Sequence, residues 1–355
     1  MNWSDMLLAE DDYPLHQTAL PLAHVMDGHP NAYDRFWFNG YDEEFYFAFA
    51  LGLYPNRGVI DAAFSVVQGD RQYSVFASDA LVGRPTAVGP MRLEIVEPMR
   101  VNRVVVDAPD HGLRCDLTYT RHTAISEEPR QTMHDGPRTF MDVTRATQLG
   151  TWCGWIETPN GRHQLPDNFL GTKDRSWGVR PIGEPLPGAE SHRAPQLAFF
   201  WAPLHVGDGG VHFMTFDDAR GHPLSRSSVL LPTNDAAVMT HGSLRIEMAR
   251  GTRWMKGAVL TMGDEEITLT PLLRFQMRGA GYSHPQFAHG RWHGGPIVSD
   301  EQLNLETLDP LEYTNIHVQH VVRATRGDEV GLGVLEQLVI GPYEPAGLRG
   351  LLDGA

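Results

Sequence analysis

Apolar and polar residues alternate along much of this sequence, and this period of two restricts the fold more than any other feature. In residues 267–277, one face is predicted to carry Ile267, Leu269, Leu273, Phe275 and Met277. Alternation of this kind is typical of strands with one buried face. The three-and-four spacing of an amphipathic helix is hard to find, so the chain is predicted to be almost entirely β.

Turn residues separate the alternating segments. Gly263-Asp264 follows residues 254–262, and Gly69-Asp70 lies between residues 63–68 and 72–77. Asn160-Gly161 marks a third reversal. Two-residue turns of these types join antiparallel hairpins, whereas parallel strands need long crossovers. The pattern therefore predicts antiparallel barrels or sandwiches and argues against doubly wound and (β/α)-barrel enzymes.

The length of 355 residues exceeds the usual size of a single hydrophobic core. Turn residues cluster near residues 165–168 and again in the Pro- and Gly-rich run of residues 181–195. We predict two domains with a boundary near residue 166, namely residues 1–165 and 166–355.

Charge and hydropathy exclude several classes of partner. The chain carries 29 Lys and Arg against 44 Asp and Glu, a net charge of −15, which repels nucleic acid and anionic membrane surfaces. Its longest apolar stretch, residues 197–206, is interrupted by Pro203 and His205 and falls short of the ~20 residues of a membrane helix. Neither nucleic acid binding nor membrane insertion is expected.

The cysteines and the first residues bear on location. Cys115 and Cys153 are the only cysteines, too few for a disulfide framework, so a reducing compartment is expected. Residues 1–12 are acidic and do not resemble a secretory signal. We expect a cytoplasmic protein, and a homodimer is compatible with the sequence.

Aromatic residues are dense between residues 35 and 49, where Trp37, Asn39 and Tyr41 are candidate ligand contacts. Aromatic rings are good strand formers and pack ordinary β-cores. They also line the cavities that bind large apolar ligands. Both interpretations, a core layer and a cavity wall, remain open.

Residues 171–180 place an acid, two arginines and an indole between glycines. In an extended segment Asp174 points to one side, while Arg175 and Trp177 point to the other. A carboxyl group inside an apolar barrel has a raised pKa and can donate a proton. The alternative is an Asp–Arg ion pair that fixes a loop.

Three histidines, His284, His289 and His293, lie close together in residues 282–293. A zinc site is disfavoured because the glycines of this segment oppose a helix and no carboxylate or thiolate completes a ligand set. We predict cavity or loop residues, with Trp292 as a ligand contact. His284 or His289 can relay a proton because imidazole titrates near neutral pH.

His317 shares one face of a predicted strand with Asn315 and Gln319. It is a candidate cavity-lining residue, and a hydrogen-bonded structural histidine is the alternative. No nucleophile elbow, phosphate-binding loop or dinucleotide fingerprint occurs in the right context. The sequence therefore favours neither a hydrolase nor a nucleotide-dependent enzyme.

The segment Asp174-Arg175-Ser176-Trp177-Gly178 resembles the Asp-x-x-Trp-Gly signature of the AttH and carotenoid-hydratase (hydroxyneurosporene synthase) group. Further blocks at residues 45–58, 282–293 and 335–342 resemble a bacterial branch of that group. The resemblance implies two lipocalin-like (calycin) barrels packed side by side, and no cofactor. Asp174 matches the candidate acid of the relatives, whereas Arg175 stands where many hydratases have His.

The resemblance implies hydration, dehydration, isomerisation or cyclisation of an isoprenoid or polyketide-derived ligand. We predict a cofactor-independent lyase or isomerase for an apolar terpenoid, steroid-like or aromatic substrate, with no metal. Asp174 is the expected proton donor and His284 or His289 the relay, while aromatic rings stabilise positive charge, among them Trp37, Tyr41 and Trp177. Arg175 and Arg180 hold a substrate carboxylate or fix the motif.

Two alternatives to that enzyme stay open. A barrel of this kind also serves as a carrier for a hydrophobic small molecule, since fold does not determine function. The third reading is a metal-dependent enzyme that uses the cluster from His284 to His293.

Overall fold

The all-β prediction is confirmed by a computed structural model of the chain. The structure describes residues 9–25, 27–183, 188, 191, 195–233 and 236–355. Within these ranges there is no α-helix, and the helical segments are short 3₁₀ turns at Ala9–Asp12, Pro55–Arg57, Pro109–His111, Met277–Ala280 and Glu344–Ala346. No helix in the described part is long and apolar enough to cross a membrane.

Thirteen strands form the first antiparallel sheet. In chain order they are β1 (Ala32–Tyr41), β2 (Phe45–Tyr54), β3 (Val59–Gln68), β4 (Arg71–Ala80), β5 (Ala87–Val88), β6 (Met91–Glu97), β7 (Val101–Ala108), β8 (Leu113–Glu127), β9 (Gln131–Asp135), β10 (Arg138–Thr158), β11 (Gly161–Gln164), β12 (Phe169–Val179) and β20 (Ile297–Asn304). Their spatial order is β20-β4-β3-β2-β1-β12-β10-β8-β7-β6-β5, and β9 and β11 also pair with β10.

Nine strands form the second antiparallel sheet. They are β13 (Leu197–His205), β14 (Gly209–Asp217), β15 (Pro223–Pro232), β16 (Val238–Met239), β17 (Gly242–Met248), β18 (Met255–Met262), β19 (Glu265–Gln276), β21 (Val318–Arg326) and β22 (Glu329–Ile340). The spatial order is β16-β15-β14-β13-β22-β21-β19-β18-β17.

The three predicted reversals are present. Gly69-Asp70 joins β3 to β4, Asn160-Gly161 joins β10 to β11, and Gly263-Asp264 joins β18 to β19. Gly69 and Gly263 have φ values of 63° and 62°, in the left-handed region that only glycine adopts without strain. These glycines therefore determine where the hairpins turn.

The predicted single face of residues 267–277 is wrong in one respect. A bulge in β19 between Pro271 and Leu273 shifts the register against β21. Ile267 therefore packs inside the second sheet, whereas Phe275 points toward the first sheet. A bulge reverses the sides on which later residues point, and the alternation of residue types does not reveal it.

The sheets do not follow the predicted division of the chain. β12 and β20 both come after residue 166, yet β12 lies between β1 and β10, and β20 pairs with β4 at the edge of the first sheet. The domain boundary near residue 166 therefore stays a prediction.

Buried residues form three main layers. One lies inside the first sheet, one inside the second sheet and one between the two. β1 contributes to two of them, because Phe36 and Phe38 pack inside the first sheet while Trp37 and Tyr41 face the second. Each fully buried aromatic or aliphatic side chain contributes roughly 1.5–3 kcal/mol. The layer between the sheets is thus a hydrophobic core in its own right.

Lys173 is a cation inside the apolar first layer. Its side chain is 2% exposed, its Nζ donates to Asn102 Oδ1 at 2.9 Å, and it lies 5.8 Å from the ring of Phe38. Burial, assisted by the charges of Arg175 and Arg121, lowers the pKa of Lys173 to about 8. The folded state therefore holds this charge at a cost in stability.

We expect Lys173→Met to raise the free energy of unfolding at neutral pH by about 1–3 kcal/mol, because it removes a buried charge. The folded chain releases the Lys173 proton near pH 8, whereas an unfolded lysine keeps it to about pH 10.4. The wild type must therefore recover stability relative to the variant as pH rises across this interval.

Urea unfolding at several pH values measures this difference. The matched control is Lys256→Met, since Lys256 is the only other lysine and is exposed. A Lys173→Met protein that is less stable than wild type throughout the interval would contradict the prediction.

Candidate functional site

Two rows of side chains face each other across the layer between the sheets. In the first sheet Trp37, Asp174 and Thr147 are opposite one another on β1, β12 and β10. In the second sheet Trp201 and Glu336 are opposite one another on β13 and β22. Directly opposite residues of antiparallel strands project from the same face. The Trp201 indole donates to Thr147 Oγ1 at 3.3 Å, so the two rows are in contact.

Arg145 joins two buried carboxyl groups on the first-sheet side. Its Nε lies 3.3 Å from Asp174 Oδ2, and its Nη1 lies 3.5 Å from Glu128 Oε2. Glu128 also accepts a 2.7 Å hydrogen bond from Gln131. His212 extends the cluster from the second sheet, with its Nε2 3.5 Å from Glu128 Oε1.

Burial makes the two carboxyl groups weaker acids than carboxyl groups in water. Burial raises the pKa of Asp174, Arg145 and Arg180 oppose this rise, and the negative charge of Glu336 adds to it. Burial also raises the pKa of Glu128 to about 7. The pKa of His212 falls to about 3, so this ring is neutral and adds no cation. A protonated carboxyl group is therefore accessible near neutral pH.

Glu336 has the opposite character. His317 Nε2 lies 2.7 Å from its Oε1, and Gln319 Nε2 donates to its Oε2 at 2.6 Å. Burial raises the pKa of Glu336, but these hydrogen bonds outweigh burial and the net pKa lies below the usual value. Environments that push the pKa values of two acids apart are typical of acid–base sites. Asp174 can carry a proton while Glu336 is ionised.

A hydrogen-bonded chain connects this acid to the first sheet. Gln319 Oε1 accepts from Asn39 at 3.1 Å and from the Tyr46 hydroxyl at 2.6 Å. Asn39 in turn accepts from the backbone N–H of Thr172 at 3.0 Å. These bonds fix the position of the amide that holds Glu336.

Aromatic rings surround the acids. Trp37 lies 6.3 Å from the ring of Phe275, which also stacks on Tyr46 at 4.8 Å. Tyr41 is buried farther along β1, 6.1 Å from His205. The structure thus places the predicted residues Trp37, Asn39 and Tyr41 in the layer between the sheets.

Arg175 and Trp177 project from the opposite face of β12. Arg175 pairs with Asp34 and stacks on Phe36 at 4.0 Å, and Trp177 is 43% exposed. The alternation of strand side chains requires this, because Asp174 is one residue from Arg175 and three from Trp177. The structure does not bring these two predicted contacts to Asp174, so Trp177 is not available to stabilise charge beside it.

Tyr282 lies at one end of the layer and contacts several predicted residues. Its ring makes edge contacts with His289 at 4.4 Å and His317 at 4.7 Å, and its hydroxyl accepts from Arg180 Nη1 at 3.4 Å. His289 Nε2 is 2.8 Å from the carbonyl oxygen of Ala280. Burial and the nearby arginines hold the pKa of His289 well below its usual range, so the ring is neutral.

His284 and Trp292 lie apart from Asp174. His284 Nδ1 accepts from two backbone N–H groups, and its ring packs on Phe76 at 4.8 Å. Phe76 is on β4, four strands from Asp174, or about 19 Å along the sheet at ~4.8 Å per strand. Trp292 is 50% exposed. These two predicted residues therefore do not act directly beside Asp174.

The described part of the chain contains no group of three His, Cys, Asp or Glu side chains arranged to hold a metal ion. A small cavity beside Arg35, Asp61 and His289 has a volume of about 10 Å³, about the room that one water molecule needs. A larger ligand must displace side chains to enter here.

Sequence reasoning missed Arg145, Glu128 and Glu336. Arg145 and Glu128 sit in segments where polar residues are frequent, so nothing marked them as buried. Glu336 had a signal, because it is the one charged residue of residues 334–340, which are apolar except for Glu336 and Gln337. An ionisable group in a strand buried on both faces needs a partner, and here the partner is His317.

The family of unknown function DUF8625 has a model that matches residues 7–349. The chain belongs to the DUF8625 family. No curated protein is similar enough in sequence to be recognised as a relative.

Three solved structures share the fold of this DUF8625 protein. A protein of Nitrosomonas europaea assigned as AttH superposes with a TM-score of 0.56 at 12% identity, over 86% of this chain and 92% of that one. Kievitone hydratase from Nectria haematococca gives 0.52 at 11%, over 86% and 88%. CghA with Sch210972 gives 0.50 at 12%, over 87% and 89%. They confirm the fold expected from the resemblance to the AttH and carotenoid-hydratase group.

Replacing Arg145 by Met leaves Asp174 and Glu128 buried without their shared cation. We expect a loss of about 3–5 kcal/mol in the free energy of unfolding. The pKa values of both carboxyl groups then rise further above those of the unfolded chain, so the loss must grow as pH increases and shrink in mildly acidic solution. Denaturant unfolding at several pH values measures it.

Arg175→Met is the matched control, because Arg175 lies on the other face of β12 and half-exposed Asp34 keeps access to water. This control must show a smaller loss with little pH dependence below neutrality. Equal losses for Arg145→Met in acidic and alkaline solution would contradict the assignment of Arg145 as the counterion of the two acids.

Proposed function

We propose that this DUF8625 protein is a cofactor-independent lyase or isomerase for an apolar terpenoid, steroid-like or aromatic substrate that binds between the two sheets. The observation that carries the proposal is the buried Asp174, 3.3 Å from Arg145 and with a raised pKa, in the same row as Trp37. A buried carboxyl group with a raised pKa, surrounded by aromatic rings, is suited to donate a proton to an alkene.

The reaction begins when the Asp174 hydroxyl gives its proton to one carbon of a substrate double bond, which leaves a cation on the other carbon. The aspartate that forms is stabilised by Arg145. The rings of Trp37 and Phe275 stabilise the cation through their negative faces. Proton transfer thus creates two opposite charges from two neutral groups, and each new charge has a stabilising neighbour.

The fate of the cation determines the product. Loss of a proton from a neighbouring carbon moves the double bond, attack by water hydrates it, and attack by a second double bond closes a ring. Glu336 is the base that we assign to accept the released proton, because it is ionised and held by His317 and Gln319. The hydratase among the structures of similar fold supports this class of chemistry by analogy of fold.

We expect Asp174→Asn to lower turnover by about 10²-fold or more, the usual contribution of a general acid, while ligand affinity and folding change little. The substrate is identified first, by mass spectrometry of small molecules extracted from natively purified protein. Extract and protein are then incubated and the products analysed. Full activity of Asp174→Asn would remove Asp174 as the acid.

The same incubation separates the enzyme from a carrier. A product that differs from the ligand by one water or by the position of a double bond supports the enzyme, and a ligand returned unchanged supports a carrier. Activity must also fall as pH rises through the pKa of Asp174, because only the protonated acid donates. The control variant Arg175→Met keeps this fall in activity, with its midpoint at slightly higher pH because the charge of Arg175 lowers the pKa of Asp174.

A further inference from the structure

Two arginines near Asp174, the buried Arg35 and the partly exposed Arg180, have no carboxylate of the described residues within ion-pair distance. Arg35 is 2% exposed and donates to the carbonyl oxygen of Ala280 at 2.9 Å and to the Tyr54 hydroxyl at 3.4 Å. Arg180 donates to the Tyr282 hydroxyl at 3.4 Å. No carboxylate of the described residues forms an ion pair with either guanidinium. A buried guanidinium without an anion is unusual, since buried charges are normally paired.

Hydrogen-bond donors without partners collect at the same place. Arg35 Nε, Arg180 Nε, Arg180 Nη2 and Trp37 Nε1 are buried and have no hydrogen-bond partner among the described residues. Tyr33, Arg35 and Trp37 project from one face of β1, and Arg180 lies 4.7 Å above the Tyr33 ring. Buried polar atoms are almost always satisfied, so a set of unpaired donors on one face indicates a missing acceptor.

The surrounding groups neutralise the two arginines only in part. Asp61 interacts electrostatically with Arg35, and its oxygens accept from the Tyr54 hydroxyl at 3.2 Å and from the Gly290 N–H at 2.7 Å. Burial raises the pKa of Asp61 to about 6 and Arg35 opposes the rise, so Asp61 is ionised at neutral pH and balances one positive charge. His289 is neutral. Asp174 is turned toward Arg145. The cluster therefore has an excess of positive charge.

Tyr282 occupies the space next to both guanidinium groups. Its ring centroid is 4.9 Å from Arg35 Cζ and 5.3 Å from Arg180 Cζ. The side chain is half-buried, and its segment connects β19 of the second sheet to β20 of the first. The 3.4 Å bond to Arg180 is long for an O···H–N bond, so it is a weak competitor for an anion.

We propose that Arg35 and Arg180 form a carboxylate-binding subsite, and that the substrate of this protein is an apolar acid whose carboxylate displaces the Tyr282 hydroxyl. Guanidinium groups bind carboxylates through paired, charge-assisted hydrogen bonds. Trp37 Nε1 supplies a further donor on the side toward Asp174. The apolar part of the ligand then extends along the layer between the sheets.

The statement that the bound acid is a substrate rests on the function proposed above, whereas the carboxylate-binding subsite is tested by binding alone. The probes are 1-naphthylacetic acid and its neutral amide, 1-naphthylacetamide, which have nearly the same shape. Calorimetric titration of the full-length protein measures both affinities. We expect the acid to bind the wild type at least about tenfold more tightly than the amide.

Arg35→Met and Arg180→Met must each remove most of this preference for the acid, and Arg175→Met on the opposite face of the sheet must retain it. Near-UV circular dichroism verifies folding. If Arg35→Met is unfolded, Arg35→Lys and Tyr282→Phe replace it. The lysine keeps a cation and is expected to retain part of the preference. The phenylalanine removes the competing hydroxyl and is expected to tighten binding of the acid.

Asp174→Asn distinguishes failure of the two proposals, because it must keep the preference for the acid whether or not Asp174 is the catalyst. Equal affinity of acid and amide for the wild type, no binding of the acid at millimolar concentration, or an unchanged preference in folded arginine variants would each overturn the subsite. Tighter binding of inorganic phosphate than of acetate would overturn its assignment to carboxylates.

Discussion

The contact of Arg145 with Asp174 and Glu128 is the interaction on which the chemistry that we propose between the sheets depends. Burial raises the pKa of both carboxyl groups despite the charge of Arg145 and, at Asp174, of Arg180, so each holds a proton more readily than it would in water. His317 and Gln319 hold Glu336 in its ionised form. The proton is therefore expected on the Asp174 and Glu128 side. An apolar interior thus acquires an acid and a base without an exposed charge.

Alternation of side chains along the strands positions these buried groups. β1, β10 and β12 are adjacent strands, and each has one face inside the first sheet and the other toward the second. Aromatic side chains fill the space between the sheets, and the polar groups among them mostly find partners across it, as Asn39 does with Gln319. Unpaired donors remain at Arg35 and Arg180, where we place the proposed carboxylate subsite, and further unpaired polar atoms remain at Gln131, Arg145 and His212.

Local patterns sufficed to predict the strands, their hairpins and the side of β12 from which Asp174 projects. The same alternation placed Trp177 on the face of β12 opposite to Asp174. The prediction that Trp177 stabilises charge beside Asp174 contradicted this alternation. The contact of Arg145 with Glu128 and the pairing of Trp201 with Glu336 were not predictable, because they depend on the register of strands distant in sequence. The bulge at Pro271 was hidden for a related reason, since residue types alone do not show which residue of a strand is left without a partner.

The position of β20 ties the segment between β19 and β20 to both sheets. This strand follows the segment that carries Tyr282 and His289 and then adds to the edge of the first sheet at β4, whereas β19 before it belongs to the second. The segment is thus a bridge anchored in both sheets. Any hinge-like separation of the sheets must pull on it from both ends. If the proposed ligand enters by such a separation, the same motion would draw the Tyr282 ring away from Arg35 and Arg180.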